Sequence, residues 1–320
     1  MLDEILRKSE AGIPLTREDA VALLRTDNQS PAFYRLLAAA NARSRLQYRG
    51  KAYIFVQIGL NADPCSGECS FCSLSRANYS VEQAGAKNEE DILATVAAID
   101  FSRVHALFLM TTADYPQGCF LKLGARVRRA LPDRVTLVAN IGDFDENYAR
   151  SLRQAGFDAA YHVVRLREGT DTAIPRSQRL RTLDAIRNAG LELYYCVEPI
   201  GREHTYEELA DEMLRAREYG VDVMAVMGRI GVANTRFAQE EPLSDLELTK
   251  IAATARLVTD PKRSMNIHEP NPMALLAGVN QLYAEIGFNP RDVRSETEAG
   301  RGWSVDAVAR LLTGAEYRLA

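Results

Sequence analysis

From residue 51 onward, short apolar runs alternate with segments whose apolar residues recur at helical spacing. The runs KAYIFVQIG, VHALFLMTT and RVTLVANIG are each followed by a helix-like segment, such as EEDILATVAAI or FLKLGARVRRAL. Strands that are apolar on both faces are typical of a parallel sheet covered by helices. About eight such repeats in roughly 235 residues predict an α/β fold, a closed (β/α)8 barrel of the TIM type.

An open, doubly wound sheet is the alternative arrangement of the same elements. It is less favoured because no Gly-x-Gly-x-x-Gly sequence follows the first predicted strand. Residues 1–48 are predicted to form an N-terminal helical cap, in which Thr16 and Asp19 approximate a capping box. We expect the barrel to span residues 49–288 and a short helical C-terminal extension, residues 289–320, to pack on it.

Charge and hydropathy exclude several classes of partner. The chain of 320 residues has a formal net charge of −4, and its basic residues are interleaved with acidic ones. We therefore expect neither nucleic acid nor a membrane as a partner, because both favour a concentrated basic surface. The N-terminus lacks an apolar signal core, and no apolar run approaches the roughly 18 residues of a membrane span. These features predict a cytoplasmic protein.

Three of the five cysteines lie close together after the first predicted strand. They are Cys65, Cys69 and Cys72, spaced Cys-x3-Cys-x2-Cys, with the aromatic Phe71 directly before the third. Thiolates are the soft ligands of zinc and of iron–sulfur clusters. Structural zinc needs four ligands, and no fourth Cys or His follows here. On a cubane cluster, three cysteines would leave one iron open to a small chelating molecule.

This motif resembles the signature of the radical S-adenosylmethionine (SAM) superfamily. The resemblance implies a four-iron, four-sulfur cluster on Cys65, Cys69 and Cys72, and SAM as the second cofactor, with Phe71 beside it. It also implies reductive cleavage of SAM to a 5′-deoxyadenosyl radical, which takes hydrogen from a small-molecule substrate. The expected electron donor is a reductant such as flavodoxin or ferredoxin.

Further segments resemble the biotin-synthase-like branch of that superfamily, which includes biotin synthase, the maturase of iron–iron hydrogenase and methylornithine synthase. They are the helical N-terminus, the segment QRLRTL and the C-terminal segment LLAGVNQLYAEIGFNPRD. The resemblance implies that Thr111 and Thr112 bind the amino end of SAM, and that Arg179 contacts its carboxylate. It also places Arg165, Arg167 or Glu168 against the cofactor, and Glu198 near the adenine and the substrate.

Topology alone extends this set, because the C-terminal ends of barrel strands converge at one face. Asn140, at the end of the third strand, is expected beside the cofactor, and Glu198 and His268 are expected to act on the substrate. Asn266, Glu269 and Asn271, at the end of the same strand as His268, are further candidates for contacts with the substrate. For Arg179 and Arg181, which lie on a predicted helix, the alternative is solvation, since most helical arginines face water. His204 could equally cap a helix.

Cysteine content separates the possible reactions. Only Cys119 and Cys196 remain to hold a second cluster, which favours a one-cluster enzyme that rearranges, fragments or methylates a metabolite or cofactor precursor. Sulfur insertion, as in biotin or lipoate synthesis, is the first alternative. A non-catalytic iron–sulfur or zinc protein is the second. An ordinary barrel aldolase is less favoured, because no lysine falls at a predicted strand end except Lys51, at the wrong end of the first strand.

Overall fold

The computed structural model describes residues 1–268, 271–289 and 303–320. Eight parallel strands form a closed barrel, in which β1 pairs with β8 on one side and with β2 on the other. This confirms the predicted TIM-type (β/α)8 fold. The barrel strands are β1 Lys51–Gly59, β2 Ala106–Met110, β3 Thr136–Asn140, β4 Ala159–Tyr161, β5 Glu192–Ile200, β6 Val223–Gly228, β7 Ser264–His268 and β8 Gln281–Gly287.

Helices cover the outside of the barrel and precede it. The first three, at the N-terminus, are α1 Leu2–Glu10, α2 Arg17–Leu24 and α3 Pro31–Gln47. The others follow strands in the (β/α) pattern: α4 Glu89–Ala98, α5 Gln117–Ala130, α6 Glu146–Gln154, α7 Arg176–Ala189, α8 Tyr206–Glu218, α9 Asp245–Thr259 and α10 Val305–Gly314. Two short 3-10 helices, Arg76–Asn78 and Pro272–Ala277, complete the set within the described residues.

The N-terminal helices form as the sequence predicts and pack against α8 and α9. Thr16 and Asp19 make a complete capping box at the start of α2. Between α3 and α9, the fully buried Arg256 donates from Nε to Ser44 Oγ over 2.7 Å and from Nη1 to Asp260 over 2.9 Å. A buried guanidinium needs such partners, because an unpaired charge in the core is costly. This network fixes α3 to the outer helical layer.

Large aromatic rings fill the lower part of the barrel interior. Phe55 stacks on Tyr194 with ring centroids 5.5 Å apart, and Phe108 and Tyr283 belong to the same buried cluster. Below the strand ends that form the mouth, the interior is therefore a packed core, as in other barrels of this size. The larger cavity of the barrel interior lies at the C-terminal ends of the strands.

Two elements differ from the sequence expectations. The predicted fourth strand, FDAAYHVVRL, pairs only over Ala159–Tyr161, and beyond it the chain leaves the ladder and brings Arg165 to the mouth. A short ninth strand, β9 Arg318–Leu319, pairs with the beginning of β1 and was not expected. Glu269, at the end of the predicted seventh strand, and residues 290–302 of the C-terminal extension lie outside the described residues. Within the described residues, no helix is both long and apolar enough to cross a membrane.

Candidate active site

The cysteine loop follows β1 and lies over the C-terminal mouth of the barrel. A backbone bridge joins Cys65 to Ser75, so that the loop closes on itself around the three cysteines. Glu68, which has a positive φ of 45°, accepts hydrogen bonds from Ser75 Oγ at 2.6 Å and from the Ala77 amide at 3.0 Å. The motif is therefore held by contacts within the loop, before any ligand is considered.

Contacts with other loops set the position of the motif over the barrel. The Ser70 amide donates to the Asp171 carbonyl over 2.9 Å, and the Ala173 amide donates to the Gly67 carbonyl over 2.9 Å. On the other side, Asp114 accepts from the Ser66 amide at 2.6 Å. These bonds connect the loop after β1 to those after β2 and β4.

Backbone amides approach two of the three sulfurs. The Gly67 amide lies 3.4 Å from Cys65 Sγ, and the Leu74 amide lies 3.4 Å from Cys72 Sγ. A Cβ atom at Gly67 would lie 3.5 Å from Cys65 Sγ and 3.7 Å from Cys69 Sγ. Glycine thus leaves open the space beside these two sulfurs. Amide bonds to thiolate sulfur tune iron–sulfur clusters, so this donor arrangement suits such a group.

Burial dominates the acid–base properties of the thiols. It raises the pKa of Cys72 to about 12 and also raises the pKa of Cys69, although the positive charge of Arg165 opposes both shifts. A protonated thiol does not ligate metal, whereas a bound metal ion deprotonates its thiol ligands. Cys69 and Cys72 are therefore expected to ionise only when a metal centre is bound.

Beneath the sulfurs lies a cavity of about 180 Å³ at the mouth of the barrel. The three cysteines line it, and so do nearly all the side chains expected from the sequence to bind cofactor or substrate. These are Phe71, Thr111, Thr112, Asn140, Arg165, Arg179, Glu198 and His268. Glu168 does not line the cavity directly but is bonded to Arg179.

Arg165 and Glu198 reach the cavity from β4 and β5. Arg165 Nε lies 3.4 Å from Glu198 Oε1, and the Tyr161 hydroxyl donates to Glu198 Oε2. Burial and the neighbouring negative charges raise the pKa of Tyr161 far above its usual range. Glu198 thus faces the mouth, as expected from the sequence, and it has two partners there.

Arg179 is also buried, but carboxylates of the protein surround it. Its Nε donates to Glu168 Oε2 over 3.2 Å, and its Nη1 lies 3.1 Å from Asp143 Oδ2. Glu168 accepts in addition from the Arg165 amide at 2.9 Å. Burial on its own would raise the pKa of Asp143, but the close contact with His162 and the charge of Arg179 lower it to about 2. Asp143 is therefore ionised at neutral pH.

Thr111 and Thr112 follow β2, where a residue that the sequence analysis did not single out supports them. The Asn61 side chain accepts from the Thr112 amide at 3.0 Å and donates to Thr112 Oγ1 over 2.9 Å. Asn61 lies just beyond the end of β1, so its position at a strand end was the available signal. It holds the end of β2 beside the cysteine loop.

The polar wall of the cavity comes from β7, β8 and β1. His268 lines the cavity, and its ring centroid lies 4.6 Å from that of Tyr283. Gln57 and Asn289 also line it, and both donate to Glu285 Oε1. Asn266 lies lower in the barrel, beside a pocket of about 20 Å³. Sequence reasoning missed Gln57, Tyr161 and Asn289, which lie within or after predicted strands.

The remaining candidates lie elsewhere or outside the described residues. Arg167 is exposed and bonds Glu208 over 3.1 Å, so it does not line the cavity. His204 accepts the Gly201 amide at 2.9 Å, outside the mouth cavity. Asn271 caps the 3-10 helix that begins at Pro272. Glu269 lies outside the described residues.

The two other cysteines do not share one space. Cys119 is exposed in the first turn of α5, outside the barrel wall. Cys196 is buried on β5, two residues after Tyr194 and two before Glu198, which both face the interior. Because residues two apart on a strand share a face, Cys196 lies on the inward face as well. The pair therefore does not supply two ligands to one interior site.

Within residues 1–268, 271–289 and 303–320, no group of three His, Cys, Asp or Glu side chains is arranged to hold a single metal ion. A zinc site would need its ligands at about 2.0–2.3 Å from one centre. A cubane cluster instead distributes its thiolates over separate iron atoms.

Comparison with known proteins finds relatives of this chain, although no family model matches it. The chain is 24% identical over 300 residues to biotin synthase of Desulforudis audaxviator, covering 88% of this chain and 89% of the relative. It is 25% identical over 341 residues to biotin synthase 2 of Frankia casuarinae, covering 98% and 93%.

Two solved structures share the fold. Methylornithine synthase (PylB) superposes with a TM-score of 0.84 at 18% identity, covering 99% of this chain and 97% of that chain. The hydrogenase maturase HydG of Carboxydothermus hydrogenoformans superposes with a TM-score of 0.80 at 17% identity, covering 99% and 78%. With the cysteine motif at the mouth of the barrel, the chain is thus similar in sequence to biotin synthases and shares its fold with two other members of the biotin-synthase-like branch of the radical SAM enzymes.

Proposed function

We propose that this enzyme cleaves SAM reductively to a 5′-deoxyadenosyl radical, which abstracts hydrogen from a small metabolite or cofactor precursor. The outcome would be rearrangement, fragmentation or methylation in the biosynthesis of a cofactor. The observation that carries the proposal is the position of Cys65, Cys69 and Cys72 on the cavity that also contains Arg165 and Glu198.

The residues at the mouth suit a four-iron, four-sulfur cluster held by those three cysteines. Gly67 leaves space beside two of the sulfurs, and amides lie near Cys65 and Cys72. Once bound and reduced, a cluster with one open iron would supply the electron that breaks a carbon–sulfur bond of SAM. Phe71 would cover one side of the cluster from within the motif.

The chain's own side chains would bind and orient the two organic ligands. Thr111, Thr112 and Asn140 offer hydrogen-bonding groups on the side of β2 and β3, where we place SAM. Glu198 and His268, on β5 and β7, would contact the substrate. Because Glu198 is held by Arg165 and Tyr161, its carboxylate is oriented before the substrate arrives. Preorganised groups of this kind lose little entropy on binding.

The proposed division of the chain follows the same logic. Residues 1–48 would form a supporting helical segment, residues 49–288 the catalytic barrel and residues 289–320 an extension on it.

The three motif cysteines are each partly exposed. A reductant such as flavodoxin or ferredoxin would therefore approach the cysteine loop.

Sulfur insertion is the second candidate function. The names of the curated relatives favour it, as does the inward position of Cys196 on β5. It would need a second cluster in the barrel as the sulfur source. Because Cys119 lies outside the barrel wall, that cluster would have to take most of its ligands from residues other than cysteine.

Anaerobic reconstitution followed by SAM cleavage tests the proposal. The loaded protein is incubated with a chemical reductant and SAM, and 5′-deoxyadenosine is quantified. We expect about four iron atoms per chain and formation of 5′-deoxyadenosine. A loaded protein that forms none would contradict the proposal and favour a binding protein, whereas an iron content near twice that value would favour sulfur insertion.

A further inference from the structure

A small inner pocket of about 20 Å³ lies inside the barrel, below the mouth cavity. Two amide side chains, Asn266 and Gln281, line it among aromatic rings. Three residues line both the inner pocket and the mouth cavity: Gln57, Tyr161 and His268. The inner pocket is therefore the inward continuation of the space in which we place the substrate.

Gln281 is fully buried at the start of β8, and only one end of its side-chain amide is paired. Its Oε1 accepts a hydrogen bond from the Ser264 hydroxyl, whereas its Nε2 has no acceptor within the described part of the chain. Exchanging the two ends of the amide would pair the nitrogen with Ser264 and leave the oxygen without a donor. One polar atom of Gln281 thus lacks a partner in either orientation, which is costly at a buried position.

Asn266 brings a second amide to the same pocket. In the pairing of β7 with β8, Asn266 stands opposite Gln281, so the two amide side chains are neighbours on the inner face of the sheet. Asn266 Oδ1 accepts the Ile267 amide at 2.7 Å. Its Nδ2 can therefore donate to a ligand in the pocket, as can Nε2 of Gln281.

The size and charge of the inner pocket restrict its ligand. A volume of about 20 Å³ holds one water-sized group, which needs roughly 10–15 Å³. A second iron–sulfur cluster, with several iron and sulfur atoms, does not fit in that volume. No lysine or arginine of the described chain lines the pocket, so a carboxylate or phosphate group is not favoured there. The ligand that remains is a single uncharged oxygen, which accepts from the amides and can donate as well.

We propose that the inner pocket binds one hydroxyl oxygen through Gln281 and Asn266. Without substrate this oxygen belongs to an ordered water, as at many buried polar sites. A terminal hydroxyl of the substrate then replaces the water and fixes the far end of the substrate, and this second part rests on the function proposed above. A group that reproduces the hydrogen bonds of a displaced water keeps affinity, whereas an apolar group in its place loses it. The substrate is accordingly a slender metabolite that ends in a hydroxyl.

High-resolution crystallography of the anaerobic, cluster-loaded protein tests the site. We expect one water-sized peak of electron density within hydrogen-bonding distance of Gln281 Nε2 and Asn266 Nδ2. In Gln281→Met, which keeps the length of the side chain and removes its amide, this peak should be lost. Gln154→Met, at an exposed position on α6, is the matched control and should keep it. A wild-type map without density in the inner pocket would overturn the proposal, whatever the variants show.

Two soaked compounds distinguish water from a ligand hydroxyl as the source of the oxygen. 1,3-Propanediol ends in hydroxyls, and 1,3-dimethoxypropane has the same chain with both hydroxyls capped by methyl groups. The diol is expected to place a hydroxyl at the position of the water, whereas the diether should leave the water in place. If the water persists in crystals saturated with the diol, the pocket binds water alone and the assignment to the substrate is wrong.

The outcomes also separate this site from the proposed function. Formation of 5′-deoxyadenosine tests SAM cleavage and does not depend on the occupant of the inner pocket. A protein that forms 5′-deoxyadenosine but shows no density beside Gln281 would contradict the site alone. A protein that shows the water but cleaves no SAM would contradict the proposed function, and with it the assignment of the substrate hydroxyl.

Discussion

Arg179 on α7 lies with its Nη1 3.1 Å from Oδ2 of Asp143, a residue that follows β3. This ion pair is buried, and it links a helix of the outer layer to the mouth of the barrel. His162 Nε2 approaches the other oxygen of Asp143 at 3.1 Å. The two contacts pair Asp143 with a residue of α7 and with a residue that follows β4.

The first prediction concerns the pH dependence of stability. The folded pKa of Asp143, about 2, lies below its usual value of 3.8. Its ionised form therefore stabilises the protein by about 2 kcal/mol above pH 4, and this contribution is lost as the pH falls from about 4 toward 2. Asp143→Asn should lower the free energy of unfolding by a similar amount at pH 7.

Urea unfolding of the metal-free protein at several pH values checks this. The difference between wild type and Asp143→Asn should shrink as the pH is lowered below 4. Asp133→Asn, at an exposed position, is the control and should match the wild type throughout. A difference that stays constant down to pH 2.5 would show that the carboxylate charge of Asp143 is not the cause.

The second prediction concerns the cluster ligands. Cys69→Ala should reduce the iron content after reconstitution by about tenfold, because a cubane with two protein thiolates is poorly held. Cys119→Ala should load like the wild type, because Cys119 is exposed outside the barrel wall. Iron analysis and far-ultraviolet circular dichroism of both variants test this. Full iron content in Cys69→Ala, with a folded barrel, would rule out the proposed ligand set.

The third prediction uses the space beside Gly67. Even a Cβ there would lie 3.3 Å from Ile174 and within 3.7 Å of two motif sulfurs, and valine adds two methyl groups. We expect Gly67→Val to lose most of its iron while its urea midpoint stays near that of the wild type. Gly118→Val is the matched control at an exposed position with open space. Normal loading of Gly67→Val would mean that the metal centre does not occupy the space beside Gly67.

The fourth prediction concerns the packing of α5 on the barrel. A methyl group at Gly124 would overlap the ring of Phe157, which is buried and stacked on Phe120. Gly124→Ala should destabilise the protein by about 1–3 kcal/mol, as overpacked core substitutions do. Gly118→Ala, on the same helix with no atom within 4 Å, should leave the unfolding midpoint unchanged or slightly raised. Equal midpoints for the two variants would contradict this packing.

Local patterns in the sequence predicted the fold and the metal motif. The alternation of apolar runs with helical segments involves residues that are close together in the sequence, so it can be recognised there. The same holds for the spacing of Cys65, Cys69 and Cys72. The convergence of Thr111, Asn140, Arg165, Glu198 and His268 on one cavity followed from strand ends alone. Their individual roles stay predictions.

Contacts between distant segments could not be predicted in the same way. The support of Thr112 by Asn61 and the pairing of Glu198 with Tyr161 depend on strand register, which the sequence does not encode locally. The inward position of Cys196 was not predicted either. It follows from the shared strand face of Cys196, Tyr194 and Glu198, which lie two residues apart. The carboxylate partners of Arg179 became evident only from the three-dimensional structure.

The most direct test of the central claim is the electron paramagnetic resonance spectrum of the reduced cluster, recorded before and after SAM is added. Three cysteine ligands and one open iron predict a signal that changes when SAM binds, in wild type and in Cys119→Ala alike. A reduced cluster whose spectrum does not respond to saturating SAM would contradict the open iron site, and with it the proposed chemistry.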